Sequence, residues 1–314
     1  MLSKVAERLY WSARYIERVE NTARLAKVFS QLMFDLPKAV KLNWYTLVQI
    51  TSNEVFFDTH YEAKTEKNCM SMLLSDRDNS TSLLSSLWWA RENMRTTRDI
   101  LPREAWVHIN ELYLMVKENK EDFESRSKRN ALLDKIIKGC QSWTGMMTST
   151  MSQNNTYRFI MLGTAIERAD MTSRILDVGG FFVSQETVVD DEYPSDSILW
   201  ANLLKSVSAY FMYRQNVQTE ITGQHVVDFL MKDKEFARSV RFCINFVSSV
   251  VSKLPNSSEL KEELDALVLH IDQDTVYEVG STALHDYLDE LQMALSTVHN
   301  KFYEIWFNPK QLAA

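Results

Sequence analysis

Apolar residues return along most of this chain at spacings of three, four and seven, the pattern of helices with a buried face. The first helix shows it most fully. Leu9, Ile16 and Ala23 fall on one line, joined by Val5 and Val19, because seven residues at about 100° each come back to the same side. Roughly 100–130° away a second line carries Glu17, Glu20, Asn21 and Arg24. Ala13, Tyr10 and Ala6 extend that polar line at one end and Val28 at the other, so the charges form an island in an otherwise uncharged lane. Trp11, Tyr15 and Leu25 occupy other angles, so apolar groups surround the helix and place it centrally.

The same island occurs again 150 residues later. The run from Tyr15 to Val28 aligns without a gap on the run from Ala165 to Val178, with Ile, Glu, Arg, Thr, Arg and Val identical. Glu20 is answered by Asp170 and Leu25 by Ile175. A repeat kept only for packing would preserve apolar positions, whereas this one preserves charges, so function is sought here. Glu167, Asp170 and Arg174 repeat the polar line, between Gly163 and Ile160 before them and Val178 after. Buried carboxylates persist only when paired, hydrogen-bonded or bound to a ligand. The two stripes are therefore expected to face each other, with Glu17, Arg24, Glu167 and Arg174 buried and partnered from the opposite copy. Either a salt-bridge network or a ligand cleft satisfies that requirement. Arg18 and Arg168 lie about 100° off the stripes and are expected to reach another surface or cap a neighbouring helix.

Proline and glycine punctuate the remainder. Pro37 is expected to close the first helix, Pro102 to start one, and Gly179-Gly180 to end the second signature helix. The stretch from Asp190 to Pro194 reads as a loop with Ser195 as the cap of the next helix, and Pro255 to Ser258 as another loop. Thr187-Val188-Val189 is too short to found a sheet. The pattern predicts an all-α fold, a single large bundle of about a dozen helices with a quasi-repeated central pair. No linker divides it, so residues 1–314 are read as one domain with degenerate halves at 1–150 and 151–314.

Composition narrows the function. Seven Gly and five Pro in 314 residues suit long helices and short loops. A net charge of −7 excludes general attraction to nucleic acid or anionic lipid. No apolar run is long enough to span a bilayer and the first residues lack a leader's apolar stretch, so a cytoplasmic location is expected. Cys69, Cys140 and Cys243 form no paired or zinc pattern and read as packing residues in a reducing compartment.

Four carboxylates on two helices invite a di-metal reading, but the positions three after Glu17 and Glu167 are Glu20 and Asp170, where that pattern needs His. The six histidines share no three- or four-residue spacing, and Arg24 and Arg174 would repel Mg²⁺. No metal is expected. Neither a Gly-rich phosphate loop nor a Gly-x-Ser-x-Gly elbow occurs. Arg238 and Arg241, three apart, are expected to share a helix face and suit a carboxylate, whether a ligand's or one from the signature helices. Trp200, Tyr210 and Tyr213 read as core.

Leu9-Tyr10-Trp11 leading into Tyr15 to Arg24 resembles the opening of the α-E family, an α-helical domain with a Glu-Arg motif, and Ile166 to Val178 is similar to its second signature. Trp200, Ser206, Ala209, Tyr210 and Tyr213, then Phe229-Leu230 and Arg238 to Cys243, resemble its C-terminal half. The second signature departs from the family pattern at Thr164, where a basic residue is usual and the first copy has Arg14. The resemblance implies association with circularly permuted ATP-grasp amide ligases and transglutaminase-like proteins, hence a partner role in peptide synthesis or modification. A stand-alone enzyme acting on a peptide or amino acid in the cleft, and a purely structural interaction module, are the alternatives. No cofactor, substrate or oligomeric state is named by these residues, and a homo-oligomer is left open.

Overall fold

A computed structural model describes residues 2–35, 42–186, 195–272 and 281–308. The described residues contain fourteen α-helices and no strand. In order they are α1 (Ser3–Asp35), α2 (Tyr45–Ile50), α3 (Glu54–His60), α4 (Glu66–Leu74), α5 (Leu83–Arg95), α6 (Arg103–Glu118) and α7 (Arg126–Thr150). Then come α8 (Asn155–Glu186), α9 (Ser195–Ser206), α10 (Tyr210–Asn216), α11 (Gly223–Lys232), α12 (Val240–Val251), α13 (Lys261–Asp272) and α14 (Thr282–Phe302). The chain is all-α, as its periodicity requires.

The two signature helices, α1 and α8, pack on each other at the centre. Every residue of α1 from Ser12 to Ala26 is buried except Tyr15 and Arg18. The helices touch most closely at Gly163, where an added Cβ would collide with the Tyr10 carbonyl and lie 3.2 Å from Ala13 Cβ. Ala13 and Gly163 are equivalent positions of the repeat, and small side chains at both let the backbones approach. Contacts between α1 and α8 advance in the same direction along both, so the two run parallel and nearly in register.

Around them the order of neighbours repeats. α5 and α7 pack on α1, with α6 between them; α12 and α14 pack on α8, with α13 between them. α4 lies against α1 and α5 as α11 lies against α8 and α12. Local chemistry follows the same order. Thr65 and Thr222 cap α4 and α11, and Ser82 and Ser239 cap α5 and α12, each side chain accepting a backbone N–H. Ser52 after α2 and Ser208 after α9 both take positive φ, 52° and 57°.

One boundary differs from expectation. α8 continues through Gly179-Gly180 instead of ending there. A Cβ on Gly179 would come 2.5 Å from Leu203 Cδ1 of α9, so this glycine serves close helix packing and not a helix stop. Pro37, Thr187 to Val189 and the loop from Asp190 to Pro194 lie outside the described residues, as does the side chain of Ser195. Pro102 precedes α6, Trp200 and Tyr213 are core, and Tyr210 is exposed instead. All three cysteines are free and buried.

Candidate functional site

The register of α1 on α8 brings the two charged islands together, by a route the stripes alone do not suggest. Glu17 and Glu167 are 2% and 1% exposed. Arg18, on α1, donates from Nε to Glu167 Oε1 at 2.6 Å and from Nη2 to Oε2 at 3.1 Å. Reciprocally, Arg168 of α8 pairs with Glu17 Oε2 at 3.1 Å. Each Glu-Arg dipeptide thus gives its arginine to the other's glutamate. Arg18 and Arg168, expected to turn elsewhere, are the residues that join the helices. Parallel helices explain it: the face about 100° from the polar line on each helix meets the polar line of the other.

Each glutamate also holds a second arginine, and the two sources differ. Arg14 Nε donates to Glu167 Oε2 at 2.6 Å. Its equivalent in the second copy is Thr164, whose hydroxyl bonds back to the Ile160 carbonyl. Glu17 is supplied instead by Arg238, just before α12, whose Nη1 donates to Glu17 Oε1 at 2.6 Å and Asn21 Oδ1 at 2.8 Å and whose Nη2 donates to Glu20 Oε1 at 3.0 Å. The charge missing at Thr164 is thereby restored from elsewhere in the chain. Arg241 does not share this face; inside α12, it pairs with Asp272 at 2.8 Å.

Arg24 and Arg174 behave differently from expectation as well. Their partners are the acids four residues earlier on their own helices, Glu20 and Asp170, the favourable order for such a pair. Arg24 is buried, whereas the Arg174 side chain is 27% exposed and reaches the Ser52 hydroxyl. Asp170 also lies 3.7 Å from Arg14 Nη2, and Gln141 of α7 approaches Glu20 at 3.5 Å. Ser52 and Gln141 stand on elements with no resemblance to the signature, so spacing gave no sign of them.

Electrostatics follows the geometry. Burial alone would push the Glu167 carboxyl up; Arg18 and Arg14 outweigh it and bring the group to about 2. Burial opposes Glu17 in the same way, and Arg168 and Arg238 hold it below the usual carboxylate range. Both glutamates are therefore fixed as anions. Burial drives the cysteine thiols the other way, with Cys243 pushed up to about 12 despite Arg168 nearby and Cys140, beside Glu20 and Glu17, also raised.

Among the described residues, Asp177, His285 and Asp289 are grouped with ligand atoms within 4.8 Å of one another. His285 Nδ1 lies 2.7 Å from Asp177 Oδ1 and its Nε2 3.7 Å from Asp289 Oδ2. Both ring nitrogens face carboxylates, the arrangement of an ion-paired histidine, whose affinity for a proton the Asp177 hydrogen bond raises. Histidine spacing could not reveal this trio, because Asp177 comes from α8.

A family model described as a predicted alpha-helical domain with a conserved ER motif, Alpha-E, matches residues 1–307. The chain belongs to the Alpha-E family. Its ER motif is present twice, as Glu17-Arg18 and Glu167-Arg168, and the two copies exchange partners across the central interface. The chain is similar to the uncharacterized proteins Mb2597 of Mycobacterium bovis and MT2643 of Mycobacterium tuberculosis, each 21% identical over 328 aligned positions. Those matches cover 96% of this chain and 36% of each relative, so this Alpha-E chain spans about a third of their length. No solved structure matches. No helix among the described residues is long and apolar enough to cross a membrane.

Proposed function

We propose that this chain is a partner module of an ATP-grasp amide-ligase or transglutaminase-like system that synthesises or modifies peptides. The observation that carries the reading is the length of its relatives: the greater part of each lies outside the match, so a domain of this kind occurs joined to a much longer stretch of other sequence. That joined sequence supports reading a domain of this kind as one that works in company with another protein unit. The state of the glutamates favours a supporting role over a catalytic one. Both oxygens of Glu17 and of Glu167 are held by arginines of the same chain, and an acid or base must instead exchange a proton near working pH. The ER pairs fix how α1 sits on α8, and hence the surfaces that the outer helices present.

The test is co-purification of the tagged chain from its native host, followed by reconstitution with the ATP-grasp protein recovered. ADP release and amide product should rise when the chain is added to that ligase, and the chain alone should form no product. Product from the purified chain alone, or a ligase that neither binds it nor responds to it, would overturn the proposal.

A further inference from the structure

The repeated caps and turns assign each residue around the ER helices a counterpart in the other run of seven helices. Ser82 and Ser239 are equivalent caps, so Thr81, immediately before one, corresponds to Arg238, immediately before the other. The Arg238 guanidinium fills the space over Glu17, Glu20 and Asn21. Thr81 is too short to do the same over Glu167 and Asp170. A cavity of about 160 Å³ lies there, bordered by Thr81, Arg18, Glu167, Asp170, Arg174 and Ser52. That is roughly ten times the 10–15 Å³ that one water requires.

Charge decides what such a cavity accepts. On the cavity's side of the network three arginines (14, 18 and 174) meet two carboxylates (167 and 170). Three minus two leaves one positive charge in excess within a largely buried volume, where uncompensated charge is costly. A cation would add to that excess, and both oxygens of Glu167 are already engaged by Arg14 and Arg18. The unused groups are donors. Arg18 Nη1 and Arg174 Nη2 have no partner among the described residues, since Arg18 uses Nε and Nη2 and Arg174 uses Nε and Nη1. The Ser52 hydroxyl accepts from Arg174 and keeps its own proton to give.

We propose that this cavity binds an oxyanion, a carboxylate or phosphoryl group, between the guanidiniums of Arg18 and Arg174 with the Ser52 hydroxyl beside them. Planar guanidinium donors suit either group. Ser52 and Arg174 also border an adjoining cavity of about 380 Å³, within the range of about 300–1,000 Å³ usual for small-molecule sites. The oxyanion can therefore be the end of a longer molecule. The inference concerns the chain by itself and does not depend on the partner reading.

Titration calorimetry of the purified chain with N-acetylglycine, inorganic phosphate and glycinamide tests it. At least one of the two anions should bind saturably at about millimolar concentration or below, and glycinamide, a cation without a carboxylate, should not. Binding of N-acetylglycine alone assigns a carboxylate; binding of phosphate alone assigns a phosphoryl group. Two substitutions locate the site: Arg174→Gln removes a donor, and Thr81→Arg places a long side chain where Arg238 lies in the counterpart. Each should weaken binding at least about tenfold while the helical circular dichroism is retained. If Thr81→Arg does not fold, Arg174→Gln decides alone. No heat from either anion at about 10 mM, equal binding of glycinamide, or unchanged affinity in the folded variants overturns the proposal. No partner protein enters this assay, so its failure and that of the ligase reconstitution are separate results.

Discussion

Replacing Glu167 by Gln asks whether the exchanged ER pairs hold the fold together. Glutamine keeps the side chain's shape and one acceptor oxygen, but removes the charge and turns an amide NH₂ towards two guanidiniums. The structure sets the magnitude in two ways. Against the opposing effect of burial, the carboxyl moves from an ordinary 4.5 to about 2. A difference of about 2.5, at ~1.4 kcal/mol each, corresponds to about 3–4 kcal/mol favouring the anion. Breaking one partner out of a buried pair costs about 3–5 kcal/mol. The lower end applies, because Arg14 and Arg18 keep the faces of Trp11 and Tyr15, 5.2 and 5.7 Å away. Urea titration followed by far-ultraviolet circular dichroism should show a loss of about 3 kcal/mol at pH 7. The sign with pH follows from a folded value below the unfolded one. The contribution is present in full above the unfolded value of 4.5 and fades as the pH falls towards about 2. The stability of wild type and variant should therefore converge in acid. A variant within about 0.5 kcal/mol of wild type at pH 7 would refute the structural role, and a variant more stable than wild type would mean the glutamates are held against one another for a ligand.

Gly163→Ala should lower stability by about 1–3 kcal/mol, because its Cβ meets the Tyr10 carbonyl; an unchanged melting temperature would contradict the close approach of α1 and α8. His299, bonded through Nδ1 to the Tyr10 hydroxyl at 2.9 Å, is pulled down to about 4, by burial first and by Arg14 second. Its folded value lies below 6.5, so it contributes stability that is complete above 6.5 and declines as the pH falls towards 4; a ring that titrates near 6.5 in NMR would oppose the buried assignment. All three thiols are buried and free, so Ellman's reagent should label them only on unfolding, and fast labelling of the native chain would count against the packing role.

Legibility in the sequence followed the range of the interaction that produced each feature. The helical fold was readable because it rests on local periodicity and on few glycines and prolines, and the central position of α1 because apolar residues flank its charges on every side. The burial of Glu17 and Glu167 was readable from the apolar lane around them, and their being paired from the cost of stranding a carboxylate. Their partners were not readable. A helical wheel ranks residues by angle on one helix, and whether Arg18 points to solvent or across to Glu167 depends on where α8 lies. The two glycines at 179–180 misled for a related reason. Glycine suits a helix end by its backbone freedom, yet Gly179 lies inside α8 with the Leu203 side chain packed where a Cβ would stand, which only the packing of α9 discloses.

The arginines supplied to the two glutamates show why the repeat in the sequence understates the repeat in the site. Read along the signature, Thr164 in place of a basic residue makes the second copy poorer by one charge. In the parallel pair an arginine at that position on α8 would serve Glu17 on α1, just as Arg14 on α1 serves Glu167 on α8. The loss therefore falls on the first copy's glutamate. Arg238 makes it good from before the cap of α12, while the position equivalent to Arg238, before the cap of α5, is Thr81. Each glutamate keeps two guanidiniums, but the second one of Glu167 comes from α1 itself and the second one of Glu17 from the residue before the cap of α12. The charge around the two carboxylates is alike, although the residues that deliver it stand at different places in the chain. Because Arg14 fills this need along α1, the space before α5 is released from it, and the cavity beside Arg18 and Arg174 occurs on that side of the network.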